Sequence, residues 1–266
     1  MKAKILYPVI GFLLSTGLMS QDKRQITPGN IESYIDRFEL RTSDKHSNGW
    51  SHYYIPRNMG DTLTVKMSCV YIGKQTHAPH THNEDEAFYI IKGPVIFHIN
   101  GEERIFHTGD FVYTPSGSSH NIQRANETDT IKYLVLKRET VKAVDRPYTV
   151  SKADYTMDDC CFYPARHAEW ADEKKEARLV LLDKHFADGF QVEINRVTKN
   201  EKVFQNENPR QPGQVAIYII RGEAEVTLDG KTAQIETDNT LYCPKGSVYR
   251  LKKRGNASLT FLTITT

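Results

Sequence analysis

Cysteine, one-signed charge and long apolar runs are all scarce in this chain, and each scarcity closes off a class of protein. Four cysteines among 266 residues are too few for a disulfide scaffold, so a hydrophobic core has to hold the fold. Cys69 and Cys243 lie inside apolar runs and read as buried thiols. Adjacent Cys160 and Cys161 would pair with each other only under strain, so a bridge from either would reach a distant partner. Lysine plus arginine exceed aspartate plus glutamate only by 35 to 33, and they are scattered. The electrostatic case for a nucleic-acid or membrane-surface partner is therefore missing. The longest apolar stretch, Ile5 to Met19, contains Pro8 and falls short of the ~20 residues a spanning helix needs.

That stretch has a different meaning. Lys2 and Lys4 precede it, small Ser20 ends it, and polar residues follow, which is the layout of a secretory signal peptide. Residues 1–20 are expected to be removed, leaving a secreted or periplasmic protein with no membrane anchor.

What the chain does contain is an internal repeat. Shifting Tyr89 onto Tyr218 aligns FYIIKGPVIFHINGEERIFHTGDFVYTPSGSSH with IYIIRGEAEVTLDGKTAQIETDNTLYCPKGSVY without a gap. Gly93, Gly101, Thr108, Pro115 and Gly117 fall on Gly222, Gly230, Thr237, Pro244 and Gly246. Two copies of one fold are expected. Each copy reads as all-β, because short runs rich in Val, Ile, Phe, Tyr and Thr are punctuated by turn residues. Asn100-Gly101 and Asp229-Gly230 suit two-residue type I′ hairpins, where both central residues need positive φ. Many short strands with such turns point to a sandwich or barrel. The expected divisions are residues 21–140 for the first copy, 141–178 for a connector and 179–266 for the second. The connector holds the only good helix candidate, roughly Ala165 to Leu182, dense in Ala, Glu, Lys and Arg.

Three of the ten histidines fall in HAPHTHNEDE, directly before an apolar run. Alternate residues of a strand share a face, so His80 and His82 point together, and Glu86, Phe88 and Ile90 share a face further on. His120 follows the Pro115–Gly117 turn. Imidazole and carboxylate suit a divalent Mn, Fe, Ni, Cu or Zn ion, and three histidines with one glutamate leave coordination positions open. Glu84 and Asp85 read as solvated loop carboxylates that attract cations. His77, His98 and His107 read as loop or surface residues, and His46, His52, His167 and His185 carry no assignment.

These residues resemble the cupin superfamily. Its first motif, His-X-His, three or four residues, Glu, six residues, Gly, is matched by His80, His82, Glu86 and Gly93. Its second motif is matched by Gly109, Pro115, Gly117 and His120, with Arg124 where asparagine is usual. Gly73 stands one residue further from His80 than is common. The resemblance implies a tandem-domain protein with two double-stranded β-helix (jelly-roll) barrels and a short helical linker. It also implies one divalent transition metal ion per chain, held by His80, His82, Glu86 and His120. In the second copy the equivalent positions are Pro209, Gln211, Val215 and Tyr249, which cannot make such a site.

The phrases EDEAFYIIKG and GDFVYTPSGSSH resemble the quercetin dioxygenase-type branch. That likeness implies oxidation of a phenolic or enolic small molecule, with Glu86 as both ligand and base. A non-redox isomerase, lyase or amidohydrolase acting on a small anion, such as a sugar acid or ureido compound, is the alternative. A non-catalytic binding protein is a third. Arg124, four residues beyond His120, is a candidate to hold a substrate carboxylate, or else a rim arginine paired with Glu127. The expected partner is a small molecule, and a homodimer is open.

Overall fold

The computed structural model describes residues 25–56, 59, 62–81, 84–138, 156–162, 170, 172–185, 187, 189–200, 203–205 and 213–266. The expected signal peptide, His82, His167, Pro209, Gln211 and residues 139–155 and 163–169 lie outside them.

Strands β1 (Ile35–Asp36) and β2 (Lys45–His46) lead into the first copy. That copy contains β3 (Gly49–Ile55), β4 (Leu63–Val70), β5 (Asp85–Lys92), β6 (Val95–Ile99), β7 (Glu102–Phe106), β8 (Phe111–Thr114), β9 (His120–Arg124) and β10 (Ile131–Arg138). A single helical turn, α1 (Met157–Cys160), and β11 (Cys161–Phe162) come next. The second copy contains β12 (Ala177–Leu182), β13 (Gln191–Val197), β14 (Val203–Gln205), β15 (Val215–Arg221), β16 (Glu223–Leu228), β17 (Lys231–Glu236), β18 (Thr240–Cys243), β19 (Tyr249–Arg254) and β20 (Leu259–Thr265). Each copy is a jelly roll of two facing antiparallel sheets. The first has β11-β8-β5-β10-β4-β3-β2 against β7-β6-β9, and the second β1-β18-β15-β20-β13-β12 against β14-β19-β16-β17. The sheets face each other without closing into a continuous barrel.

The expected linker helix is corrected at its C-terminal end, where Ala177–Leu182 is strand β12. Helix propensity gives way there to tertiary pairing. Ala177–Leu182 lines up with β13, Leu181 and Leu182 are buried, and Arg178 forks onto the Glu193 carboxylate at 3.1 and 3.0 Å.

Turn chemistry follows the sequence closely. Asn100 and Gly101 have φ of 46° and 89°, Asp229 and Gly230 of 47° and 81°, as the hairpin type requires. Paired hydrogen bonds repeat between the copies. Thr108 Oγ1 accepts from Gly93 N at 3.1 Å, and Thr237 Oγ1 from Gly222 N at 3.1 Å. Asp110 accepts from His107 N at 2.8 Å, and Asn239 from Glu236 N at 3.1 Å.

Three apolar cores result. One fills the first lumen around Phe88, Phe97, Phe106 and Ile122, and another fills the second around Ile217, Val226, Leu251 and Phe261. The third joins the backs of the two large sheets and places Tyr54 against Tyr218, ring centroids 5.6 Å apart. Strands β5 and β15 are buried on both faces, so they read as continuous apolar runs rather than alternating ones. The chain also crosses between copies. β1 pairs with β18 of the second copy, while β2 pairs with β3 of the first. Buried His52 on β3 pins this strap, with Nε2 2.9 Å from Asp36 and Nδ1 2.9 Å from Asp44.

Candidate functional site

Glu86 and His120 reach the first lumen from different sheets. Glu86 lies on β5 opposite Lys137 of β10 and Thr114 of β8. The turn closed by Ser118 N donating to the Pro115 carbonyl, with Gly117 at φ 84°, delivers His120 to the start of β9. His80 is carried by the loop before β5, which lies along β9. His80 N donates to His120 O at 3.2 Å and His120 N to His80 O at 3.0 Å, while the Thr76 hydroxyl donates to Ile122 O. The two imidazole centroids are 4.9 Å apart, and that of His77 lies 4.2 Å beyond His80.

The polar contacts at His120 define its chemistry. Its Nδ1 lies 2.9 Å from the Ser118 carbonyl, which can only accept, so Nδ1 carries the proton. Nε2 then faces Glu86 Oε2 at 2.7 Å, with both groups almost fully buried. A ring nitrogen and a carboxylate oxygen at that distance need either a proton or a shared metal ion between them. Ligand atoms bonded at ~2.0–2.2 Å to one ion sit about 3 Å apart when adjacent, so the Glu86–His120 pair fits a metal. The Ser118 contact is the kind of outer hydrogen bond that orients a metal-ligating histidine. Among the described residues no three His, Cys, Asp or Glu side chains are placed to hold an ion by themselves. The fourth candidate ligand, His82, lies outside those residues.

Around this pair the walls are apolar. The Phe97 ring is stacked on His120 at 6.5 Å between centroids, and Phe88 meets it edge-on at 5.8 Å. Two cations interrupt that wall. Lys137 Nζ lies 3.1 Å from Glu86 Oε1 and 3.6 Å from Glu84. Lys66 on β4 is part-buried with Nζ 5.6 Å from the Tyr53 ring centroid. Burial pushes the Lys66 ammonium below the ordinary lysine value, with Glu86 opposing the shift and Lys137 adding to it. The Tyr133 hydroxyl is pushed upward by burial and by the Glu86 charge.

Neither lysine is conspicuous in the sequence. Their signal is a cationic residue at the lumen-facing phase of an apolar strand, Lys137 in register with Tyr133 and Val135, Lys66 with Ser68 and Val70.

Other expectations fare differently. Arg124 is not brought to the histidines. It pairs with Val95 while His120 pairs with Ile99, four residues or roughly 13 Å along the strand. Its guanidinium donates to Lys74 O at 2.8 Å, Asn126 O at 3.1 Å and the Glu127 carboxylate at 2.9 Å, so it closes a rim loop. Asp85 is a buried latch rather than a solvated carboxylate, accepting from Tyr113 OH at 3.1 Å and Arg138 at 3.0 Å. His98 turns outward to Glu103 at 3.0 Å. In the second copy Val215 and Tyr249, both buried, stand at the places of Glu86 and His120.

A cupin domain model matches the chain twice, over residues 66–137 and 200–265. The oxalate-binding protein of Thermotoga maritima is 41% identical over 51 residues, 19% of this chain; the match spans 42% of that protein's length. Among solved structures, Ylba from E. coli superimposes with a TM-score of 0.63 at 12% identity, covering 82% of this chain and 83% of that one. A Bacillus subtilis oxalate decarboxylase variant gives 0.61 at 15% identity, over 83% and 73%. A cupin 2 conserved barrel domain protein from Leptotrichia buccalis gives 0.56 at 13%, over 84% and 90%. At these identities the superpositions speak for the fold alone, whereas the paired domain matches cover more than half of the chain, which belongs to the cupin family.

Proposed function

We propose that the first jelly roll is a metal-dependent enzyme site for a small organic anion, and that the second is its structural partner. The observation that carries this reading is the 2.7 Å approach of Glu86 to His120 inside an apolar lumen that also holds two lysines. His80, His82, Glu86 and His120 would hold one divalent transition ion. Such an ion polarises a carbonyl or hydroxyl oxygen. The protein's own groups do the rest. Glu86 would take a substrate proton, with Lys137 Nζ 3.1 Å from its Oε1 holding the carboxylate in position. Phe88 and Phe97 exclude water from the reacting atoms.

Two reaction classes use this arrangement. The likeness to the quercetin dioxygenase-type branch supports oxidation of an enolic or phenolic molecule. The lysines, which favour a carboxylate, and the oxalate-binding relative support a non-redox lyase, isomerase or hydrolase on a short carboxylic acid, and we favour this second class. The leader-like residues 1–20 make export part of the reading.

The test is turnover of 2-oxo, 2-hydroxy and dicarboxylic acids by the protein with its metal, with and without dioxygen. Undiminished anaerobic turnover is expected. Strict dependence on dioxygen would return the assignment to a dioxygenase, and tight binding without turnover would make the protein a binder.

A further inference from the structure

One positive charge in the first lumen has no counter-ion in contact with it among the described residues. Lys66 alternates with Ser68 and Val70 on β4, the face that contributes Val70 to the lumen, while Met67 and Cys69 on the other face join the core between the copies. Among the described residues its ammonium has no hydrogen-bond or ion-pair partner, and it lies over the Tyr53 ring, 5.6 Å from the centroid. Lys137, by contrast, is engaged by Glu86 and Glu84. A part-buried ammonium without a counter-ion is unfavourable, and a bound anion removes that cost.

The second copy supplies the control. The cross-strand row that places Lys66 beside Val135 and Phe88 becomes Glu193, Thr263 and Ile217. There the charge is met inside the protein, because Glu193 accepts from both Arg178 nitrogens and from Gln191 at 2.6 Å. Among the described residues a charge in this row is thus paired in the second copy and has no contacting counter-ion in the first. Lys66 also lies one same-face row from Glu86, about 7 Å along the strand and two strand spacings, about 10 Å, across the sheet, and both side chains extend from the face that lines the same lumen.

We propose that Lys66 holds the substrate carboxylate, and that the first lumen selects short organic anions whose carboxylate bridges Lys66 and the oxygen presented to Glu86 and His120. The role of Lys66 rests on the anionic-substrate reading above and names the residue behind it.

Calorimetric titration of the full chain, with the metal it carries, tests this using malonate and its neutral diamide, malonamide. Lys66→Met and Lys66→Arg are titrated alongside, and metal content and thermal midpoint are measured on all three proteins. Wild type should bind malonate at least tenfold more tightly than Lys66→Met and at least tenfold more tightly than it binds malonamide. Lys66→Arg should recover most of the affinity, and all three should carry the same metal content. Equal malonate affinity in wild type and Lys66→Met, or equal affinity of wild type for malonate and malonamide, overturns the assignment. Lys66-dependent malonate binding by a protein that takes up no metal overturns the metal reading and keeps the lysine's role. Binding of neither malonate nor metal overturns both.

Discussion

Tyr113 and Tyr242 stand at the same place in the two copies, and each hydroxyl donates to a side chain at the head of the central strand, Asp85 at the start of β5 at 3.1 Å or Gln214 just before β15 at 2.9 Å. The turn bonds of Asn100 and Asp229 match in the same way, at 2.9 and 2.8 Å. The lumens do not match. Glu86, His120 and Lys137 become Val215, Tyr249 and Thr265, and the second core is apolar nearly throughout. The jelly roll therefore does not need its polar centre. Burying a carboxylate, imidazoles and lysines opposes folding unless each is paired, so a copy released from the chemistry gains by filling the same volume with aliphatic side chains. The first copy holds buried Glu86 and His120 with part-buried Lys137 at its centre, whereas the buried carboxylate of the second, Glu193, is paired with Arg178.

The comparison breaks most sharply at the metal. Glu86→Gln or His120→Ala should reduce bound ion from one per chain to none, a loss beyond the about 10–100-fold that outer hydrogen-bond partners cost, while Tyr249→Phe leaves the metal content unchanged. Elemental analysis of purified proteins reads the difference. Next in size is the strap that belongs to both copies. His52→Ala removes the partner of two carboxylates, Asp36 and Asp44, and should cost about 3–5 kcal/mol by denaturant unfolding. Burial alone would lower the His52 pKa, but hydrogen bonds and charge from Asp36 and Asp44 raise it above 6.5. Its contribution is therefore complete below pH 6.5 and fades as pH climbs through the raised folded-state value, and His52→Ala should flatten that part of the stability profile.

Glycines at equivalent turns sharpen the comparison further. Gly222 has φ of 90°, and an added Cβ would meet Ser258 O at 2.6 Å, whereas at Gly93 the nearest atoms are at 3.2 and 3.3 Å. Gly222→Ala should cost about 2–4 kcal/mol and Gly93→Ala less than half of that. The smallest contrast lies in the paired tyrosines. Tyr113→Phe removes a donor to a buried carboxylate, about 1.5–3 kcal/mol, and Tyr242→Phe a donor to a neutral amide, about 1 kcal/mol. Equal losses would mean that Arg138 and the Ser116 amide suffice for Asp85.

Much of this is legible in the residues because it is local. Asn100-Gly101 fixes a turn by backbone sterics, and the 129-residue shift from Tyr89 to Tyr218 exposes the repeat before any strand is placed. Glu86 and His120 are findable because the spacing of the two motifs singles them out, and they meet at 2.7 Å. What escapes the sequence depends on partners outside the element itself. Ala177–Leu182 looks helical until β13 pairs with it. The exchange of β1 onto β18 has no local mark. Asp85 reads as solvated until Tyr113 and Arg138 close over it. Spacing makes Arg124 a candidate, but only the folded rim loop reveals that Lys74, Asn126 and Glu127 already occupy its guanidinium. Lysines in strands usually belong to the surface, so Lys66 and Lys137 gain meaning only once their faces are assigned.

Anomalous scattering from crystals of the full chain, grown with a divalent transition metal, tests the difference between the copies most directly. A single peak per chain in contact with His80, Glu86 and His120, with none beside Val215 and Tyr249, is the predicted result. A peak in the second jelly roll, or no peak between Glu86 and His120, would contradict it.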